Sequence, residues 1–325
     1  MIRVMVIGLG SMGEVHLECF RKMDNVHIKA VVDLDEERAV AYGQKYGAKP
    51  FVTIEEAMEE EVDVVSVCLP TDQRFEIVKQ AADKGVDIIC EKPLARTVAE
   101  ADKLIAYCEK KSVRLFVGHV VRFYPEYNKA KEAVQNGAIG KLGVVRTVRN
   151  RAFPHRETEW YGSTSRSGGV LLDLLVHDFD FLRSCFGEVK RVYAQATTSG
   201  KSEIDYALVT LRFENDIIAH VEGSWAHQKD RSAFEFAGEK GIIQYDTSQT
   251  SPLVVEKENH DQVESPFKQS AFQAQLEHFI ACVENGSTPL VSAGDGYQAV
   301  AIAEAAAQSV VSRQPVDLQS VMAKR

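Results

Sequence analysis

Up to about residue 120 the hydrophobic positions fall into short β-branched runs separated by helical stretches, the alternation expected of parallel strands joined by crossover helices. Strands are predicted at 2–7, 26–33, 62–68, 86–90 and 113–117, with a short one near Phe51; helices are predicted at 35–46, 53–60, 75–84 and 97–110. Two of the helices open on capping boxes, Thr53-Ile-Glu-Glu56 and Thr97-Val-Ala-Glu100. In such a box the hydroxyl and the glutamate each satisfy an amide that the helix leaves without a partner. This half of the chain, 1–122, is expected to be a doubly wound α/β domain.

The texture then changes. After a helix at 125–136 the stretch from Gly137 to Gly140 breaks the chain, and longer runs follow at 143–153, 189–198, 206–213, 217–225, 232–237 and 242–245. Asn215-Asp216 and Glu239-Lys240-Gly241 supply turn chemistry between consecutive runs, so residues 123–325 are expected to form a second α/β domain around a large, mainly antiparallel open sheet. Two late helices, at 271–284 and 295–312, carry long apolar faces that must pack on a sheet.

The 325 residues suit two domains, and 45% hydrophobic with 26% charged residues is the balance of a globular protein. A net charge of −9 repels phosphate backbones and anionic lipid, which argues against nucleic acid or a membrane as partner. Absence of a long apolar run or a signal-peptide pattern points to a cytoplasmic protein. Six cysteines without a C-x-x-C read as reduced core residues, and nine histidines without an H-E-x-x-H give no basis for a protein-bound metal.

The first predicted strand runs into Gly8-Leu9-Gly10-Ser11-Met12-Gly13. Gly8 permits a tight turn, Gly10 lets the backbone approach a pyrophosphate, and Gly13 lets strand and helix pack closely, with the helix N-terminus aimed at the anion. The second strand ends at Asp33, 20 residues beyond Gly13, where a carboxylate can accept from both ribose hydroxyls. Asp35 follows closely and no arginine or serine adjoins Asp33, so NAD is expected over NADP, whose 2′-phosphate two carboxylates would repel. A flavin shares this fingerprint, but nothing later in the chain suggests an isoalloxazine pocket.

Two further constellations carry chemistry. Cys90-Glu91-Lys92-Pro93 closes the run 86–90; ligands of an open parallel sheet sit beyond the carboxyl ends of its strands, so Lys92 is placed where nicotinamide and substrate would meet. An exposed lysine before a loop proline is the alternative. In the second half, Gly168-Gly169 opens an almost wholly apolar helix on which Asp173, His177 and Asp180 form a polar stripe at i, i+4 and i+7. An aspartate one turn from a histidine can raise its basicity, the arrangement a proton-transfer base needs; a satisfied core histidine is the alternative.

In this order, the glycine turn, Glu91-Lys92-Pro93 and the Asp173/His177 helix resemble the glucose-fructose oxidoreductase/inositol dehydrogenase (Gfo/Idh/MocA) family over essentially the whole chain. His16, Leu69-Pro70-Thr71, Val117-Gly118-His119-Val120-Val121-Arg122-Phe123 and Gly294-Asp295-Gly296 match as well. The resemblance implies a Rossmann domain that binds NAD or NADP, and a C-terminal domain that supplies substrate contacts and a homo-oligomer interface, dimeric or tetrameric. It implies that Lys92 orients the reacting hydroxyl, that His177 is the acid/base and that Asp173 tunes it. Glu91, Leu69, Pro70 and Thr71 would line the nicotinamide side.

The expected reaction is hydride transfer between a sugar or cyclitol C–OH and the nicotinamide, with lysine and imidazole meeting across it. Glycoside cleavage through transient oxidation, and a non-catalytic dinucleotide-sensing regulator, stand as alternatives. His119 and Arg122 are further substrate-binding candidates, Arg122 equally an ion-pair partner. Trp160 and Tyr161, or Trp225, could stack on a sugar or simply anchor a loop and a sheet; His155 and Arg156 are loop candidates for polar groups of the substrate. Two departures from the family pattern stand out: Phe75 at a place where many members carry histidine, and a single basic residue in Val121-Arg122 where inositol dehydrogenases often have two.

Overall fold

The structure, a computed structural model, describes residues 1–154, 160–200, 202–249, 252–257, 260–263 and 270–322. His155 and Arg156 lie outside the described residues. The chain divides into two compact units, Met1–Val120 with Ser270–Tyr297, and Val121–Gln269 with Gln298–Arg325. Among the described residues no helix is long and apolar enough to cross a membrane.

The first unit is built on strands β1 (Ile2–Ile7), β2 (Val26–Val32), β3 (Lys49–Phe51), β4 (Val64–Val67), β5 (Asp87–Glu91) and β6 (Leu115–Gly118), all parallel, in the order β3-β2-β1-β4-β5-β6. This is the doubly wound order of dinucleotide-binding folds, which reverses direction between β1 and β4. Helices cover both faces, so the strands are apolar along most of their length: Val4, Met5, Val6, Val64, Val65, Ile88 and Ile89 are fully buried.

Both predicted caps form on their hydroxyl side, Thr53 accepting the Glu56 amide at 3.4 Å and Thr97 the Glu100 amide at 3.2 Å. The return bond in the second box is displaced by one residue, since the Glu100 carboxylate accepts the amide of Arg96. The helix expected over 53–60 contracts to Ile54–Ala57. Helix Ala271–Asn285 belongs to this unit, where Gln273 donates to the Cys19 carbonyl at the end of helix Ser11–Phe20.

The second unit holds β7 (Leu142–Ala152), β8 (Val189–Thr197), β9 (Tyr206–Phe213), β10 (Ile218–Ser224), β11 (Ala226–Gly238), β12 (Gly241–Asp246), β13 (Leu253–Lys257), β14 (His260–Val263) and β15 (Val316–Asp317). They pair in the order β14-β13-β12-β11-β7-β10-β9-β8-β15, antiparallel throughout except β10 with β7. Three of these strands, β13, β14 and β15, were not predicted, and β11 starts well before the expected residue 232. Its opening, Ala226-His-Gln-Lys-Asp-Arg231, is exposed and polar and lacks the apolar alternation that marks a strand.

One face of the sheet is covered by helices Pro125–Gln135 and Val176–Phe186 through an aromatic cluster. Phe234 and Phe236 stack at 4.9 Å, and Tyr127 meets Phe181 edge-on at 4.7 Å.

Candidate active site

The turn after β1 has the geometry its glycines predict. Gly8 adopts φ +87°, where a Cβ would stand 2.7 Å from the Cys68 carbonyl oxygen, and a Cβ on Gly13 would stand 2.0 Å from the Gly8 carbonyl oxygen. Helix Ser11–Phe20 has Gly10 at its N-cap and no side-chain cap; its first internal bond runs from the Glu14 amide to Gly10, so the amides of Ser11, Met12 and Gly13 precede the hydrogen-bonded body of the helix. Main-chain carbonyls and the Leu69 side chain crowd the turn, and the helix amides beside it form a cradle suited to a pyrophosphate.

Asp33 closes this site. Its Oδ2 accepts the Leu9 amide at 2.8 Å and its Oδ1 the Asp35 amide at 3.0 Å, which fixes the carboxylate beside the glycine turn. The expectation that no arginine attends Asp33 needs correction in space, although it holds in sequence. Helix Glu36–Tyr46 brings Arg38 to 3.6 Å from Asp33 and 3.5 Å from Asp35. Across the sheet, the Thr71 hydroxyl is buried with no hydrogen-bond partner among the described residues. An amide cradle, an oriented carboxylate and an orphan hydroxyl fit a bound NAD.

Beside them, β5 ends in Glu91, and Lys92 follows directly. Glu91 is buried: its Oε1 lies 3.1 Å from Nε2 of His16, and its Oε2 accepts the Lys92 amide at 3.1 Å. His16 is fully buried too, with Nδ1 2.7 Å from the Ser66 hydroxyl. Burial opposes a charged His16, but the Cys68 sulfur and the Glu91 carboxylate outweigh it and raise the imidazole from 6.5 to about 10. Burial likewise opposes a charged Glu91, and His16, Arg74 and Lys92 reverse that and lower its carboxyl below the ordinary value. Gly118, opposite Glu91 on β6, is needed here, because a Cβ would stand 2.8 Å from Oε1 of Glu91.

Arg74 is the site residue that sequence reasoning missed. It opens helix Arg74–Asp83, is only 5% exposed, and donates to three main-chain carbonyls: Leu69 at 2.7 Å from Nε, and Glu91 and Pro93 from Nη1. Its neighbour Phe75 is only half-buried and carries Lys79 over its ring, while Arg74 is buried. A signal was available in the helix phase: Arg74, Val78, Ala81 and Ala82 share the buried face. His119 follows β6 and is fully buried.

In the second unit, Gly168 and Gly169 adopt φ +82° and +62° and turn the chain into the apolar segment. The single helix expected there is instead a π turn, Val170–Leu174, closed by the Leu175 amide on the Val170 carbonyl at 2.9 Å, then helix Val176–Phe186. Asp173 lies in the π turn and His177 in the first turn of the helix, both half-buried in a run whose other residues are buried. Leu175 seats this junction on β10, against Gly223, where a Cβ would stand 2.5 Å from the leucine. π turns of this kind are frequent at functional sites.

Asp180 is the third member of the expected stripe. It forms a two-pronged ion pair with Arg122, at 2.8 and 2.6 Å, with both side chains buried. The ion-pair reading of Arg122 therefore has a defined partner. Asp178 pairs similarly with buried Arg149. Trp160 is buried and lies 4.0 Å from Tyr161, ring to ring; Tyr161 meets Trp225 edge-on at 6.2 Å, and Trp225 also packs on Phe153. Ring contacts thus join all three aromatics, with Tyr161 half-buried. No cluster of three or more metal-ligating side chains occurs among the described residues.

A doubly wound sheet with an amide cradle at its switch point and an acidic residue directly after the second strand defines a dinucleotide-binding domain. Models of the oxidoreductase family match both parts, the NAD-binding Rossmann fold over residues 2–119 and the C-terminal alpha/beta domain over 131–318. The chain belongs to this Gfo/Idh/MocA family. It is 32% identical to myo-inositol 2-dehydrogenase of Thermotoga maritima, over 99% of this chain and 100% of that one. It is 30% identical to D-apiose dehydrogenase of Paraburkholderia graminis, over 98% and 90%. A crystal structure of a probable dehydrogenase from Thermotoga maritima superposes with a TM-score of 0.85 at 32% identity, over 98% and 100% of the two chains.

Proposed function

We propose that this oxidoreductase oxidises a secondary hydroxyl of a cyclitol or sugar with NAD, and that Lys92, Asp173 and His177 carry the reaction. The observation that carries this reading is the position of Lys92: it leaves the carboxyl end of β5, in the same sheet whose β1 turn forms the pyrophosphate cradle. The relatives named for myo-inositol and D-apiose support a polyhydroxylated substrate. Bound NAD supplies the hydride acceptor. His177 takes the hydroxyl proton, Asp173 sustains its basicity, and the Lys92 ammonium stabilises the developing alkoxide. His119, Trp160 and Tyr161 are held as candidate substrate contacts.

The reading extends to a cytoplasmic homo-oligomer. All six cysteines are free thiols, and Val144, Leu208 and Ile218 are exposed on strands β7, β9 and β10, which lie together in the second sheet. Light scattering gives the oligomeric state directly.

The deciding experiment assays NADH formation on a panel of cyclitols and aldoses, with NAD and NADP separately. A substrate should emerge with NAD. Lys92→Ala and His177→Ala should each lose about 10²–10⁴-fold in kcat while still binding NAD. Unchanged turnover in either variant would overturn the assignment.

A further inference from the structure

Arg74 stands outside the cradle and the proposed reacting groups, yet it is a buried charge whose three donated bonds all end on main-chain carbonyls. A guanidinium is charged at every working pH, and burying one without partners is costly, so a residue serving only to fill space here would be apolar. The bonds are selective. Glu91 and Pro93 are the residues on either side of Lys92, and one nitrogen, Nη1, reaches both of their carbonyls. Nε reaches Leu69, in the turn after β4. A rigid fork thus ties the Leu69 turn to the turn that carries Lys92 and brackets that lysine on both sides.

We infer that Arg74 is a positioning residue, which fixes the direction in which the Lys92 side chain leaves the sheet by holding the main-chain carbonyls of the two residues that flank it, Glu91 and Pro93. The inference rests on the proposed role of Lys92. Four flexible bonds separate the lysine Cα from its ammonium, so its reach into a site depends on a fixed starting direction, and displacements of about 1 Å at a reacting group cost about 10²-fold in rate. A lysine at position 74 would offer a point charge on a flexible stem in place of a planar fork and could not hold both carbonyls in the same way.

The test compares Arg74→Ala, Arg74→Lys, Lys92→Ala and the Arg74→Ala/Lys92→Ala double variant in kcat, KM and NAD binding. Arg74→Ala should lose about 10²-fold in kcat with NAD affinity near that of the parent, and free guanidinium ion should restore part of the rate. The double variant should be little worse than Lys92→Ala alone, because the two residues act as one unit. Should Arg74→Ala fail to fold, Arg74→Lys reads the same split. Parent-like kcat in Arg74→Lys, or losses that add to those of Lys92→Ala without guanidinium rescue, would overturn the inference.

A separate readout keeps it apart from the reaction itself. Reductive ¹³C-methylation gives Lys92 an NMR signal, assigned by Lys92→Arg, which should narrow towards a mobile side chain in Arg74→Ala. If the parent reduces no NAD with any polyol, the dehydrogenase reading fails, and this signal still decides for or against Arg74.

Discussion

His16 Nε2 lies 3.1 Å from Glu91 Oε1, both side chains are buried, and the pair sits directly before Lys92. The environment stabilises both charges. The imidazole is raised from 6.5 to about 10, and the Glu91 carboxyl is held below 4.5. A raised histidine contributes stability that is complete below 6.5 and disappears as the pH climbs through about 10. A lowered carboxyl contributes stability that is complete above 4.5 and disappears as the pH falls through its folded value. The NAD-free protein should therefore be most stable between roughly pH 4.5 and 6.5 as far as this pair is concerned, and decline in both directions. His16→Leu leaves Glu91 buried without its partner and should cost about 3–5 kcal/mol at pH 6. Its thermal midpoint should fall less steeply than the parent's between pH 6.5 and 10; parallel curves would refute the coupling.

Asp33 governs the choice of coenzyme, and Arg38 sets what happens when it is removed. The carboxylate is oriented by the Leu9 and Asp35 amides, ready to accept ribose hydroxyls. Asp33→Ser should lower NAD affinity about tenfold or more, the value of hydrogen bonds to a charged group. The same change releases Arg38, 3.6 Å away, to meet a 2′-phosphate, so NADP affinity should rise. Adding Arg38→Ala should abolish that gain without restoring NAD. Equal NADP affinity in the single and double variants, measured by calorimetry, would remove Arg38 from the account.

The legible part of the molecule is the part in which local chemistry dictates structure. The glycine turn, Asp33 and the strand ending at Glu91 could be read because glycine spacing and buried β-branched runs have few other physical solutions. Arg38 meets Asp33 and Asp35 locally, over the turn into helix Glu36–Tyr46, a reach that a reading confined to the residues adjoining Asp33 passes over. Arg74 reaches Glu91 and Pro93 only once β4 and β5 have paired. The π turn at Val170–Leu174 left no mark in the pattern, because nearly every position around Asp173 is apolar and no periodicity remains to be broken. The opening of β11 was hidden for the opposite reason, a polar run on an exposed stretch of strand.

Gly13 and Gly47 should respond to the same substitution in different ways. A Cβ on Gly13 meets the Gly8 carbonyl oxygen at 2.0 Å, backbone against backbone, so the turn has to move. Gly13→Ala should cost about 1–3 kcal/mol and at least tenfold in NAD affinity, because the displaced amides are those that face the pyrophosphate. Gly47 ends helix Glu36–Tyr46 at φ +68° with nothing within 4 Å of a Cβ. Gly47→Ala should cost about 1 kcal/mol of backbone strain and leave NAD affinity unchanged. Thermal melting and calorimetry on both variants check the contrast.

Arg122 was open to two readings, substrate contact or ion pair, and its two-pronged bond to Asp180 gives a way to decide between them. Removing one member of a buried pair strands the other, so Arg122→Met alone should cost about 3–5 kcal/mol. Replacing both, as Arg122→Met with Asp180→Leu, removes the stranded charge and should recover most of that stability, since well-packed apolar residues often match a buried ion pair. The kinetics of the double variant then carry the decision. With the fold restored, a guanidinium that only braces the second unit leaves KM for the polyol near the parent value, and that is the expected result. A guanidinium that also contacts substrate would leave the restored double variant with a KM raised about tenfold or more, the cost of a lost charged hydrogen bond.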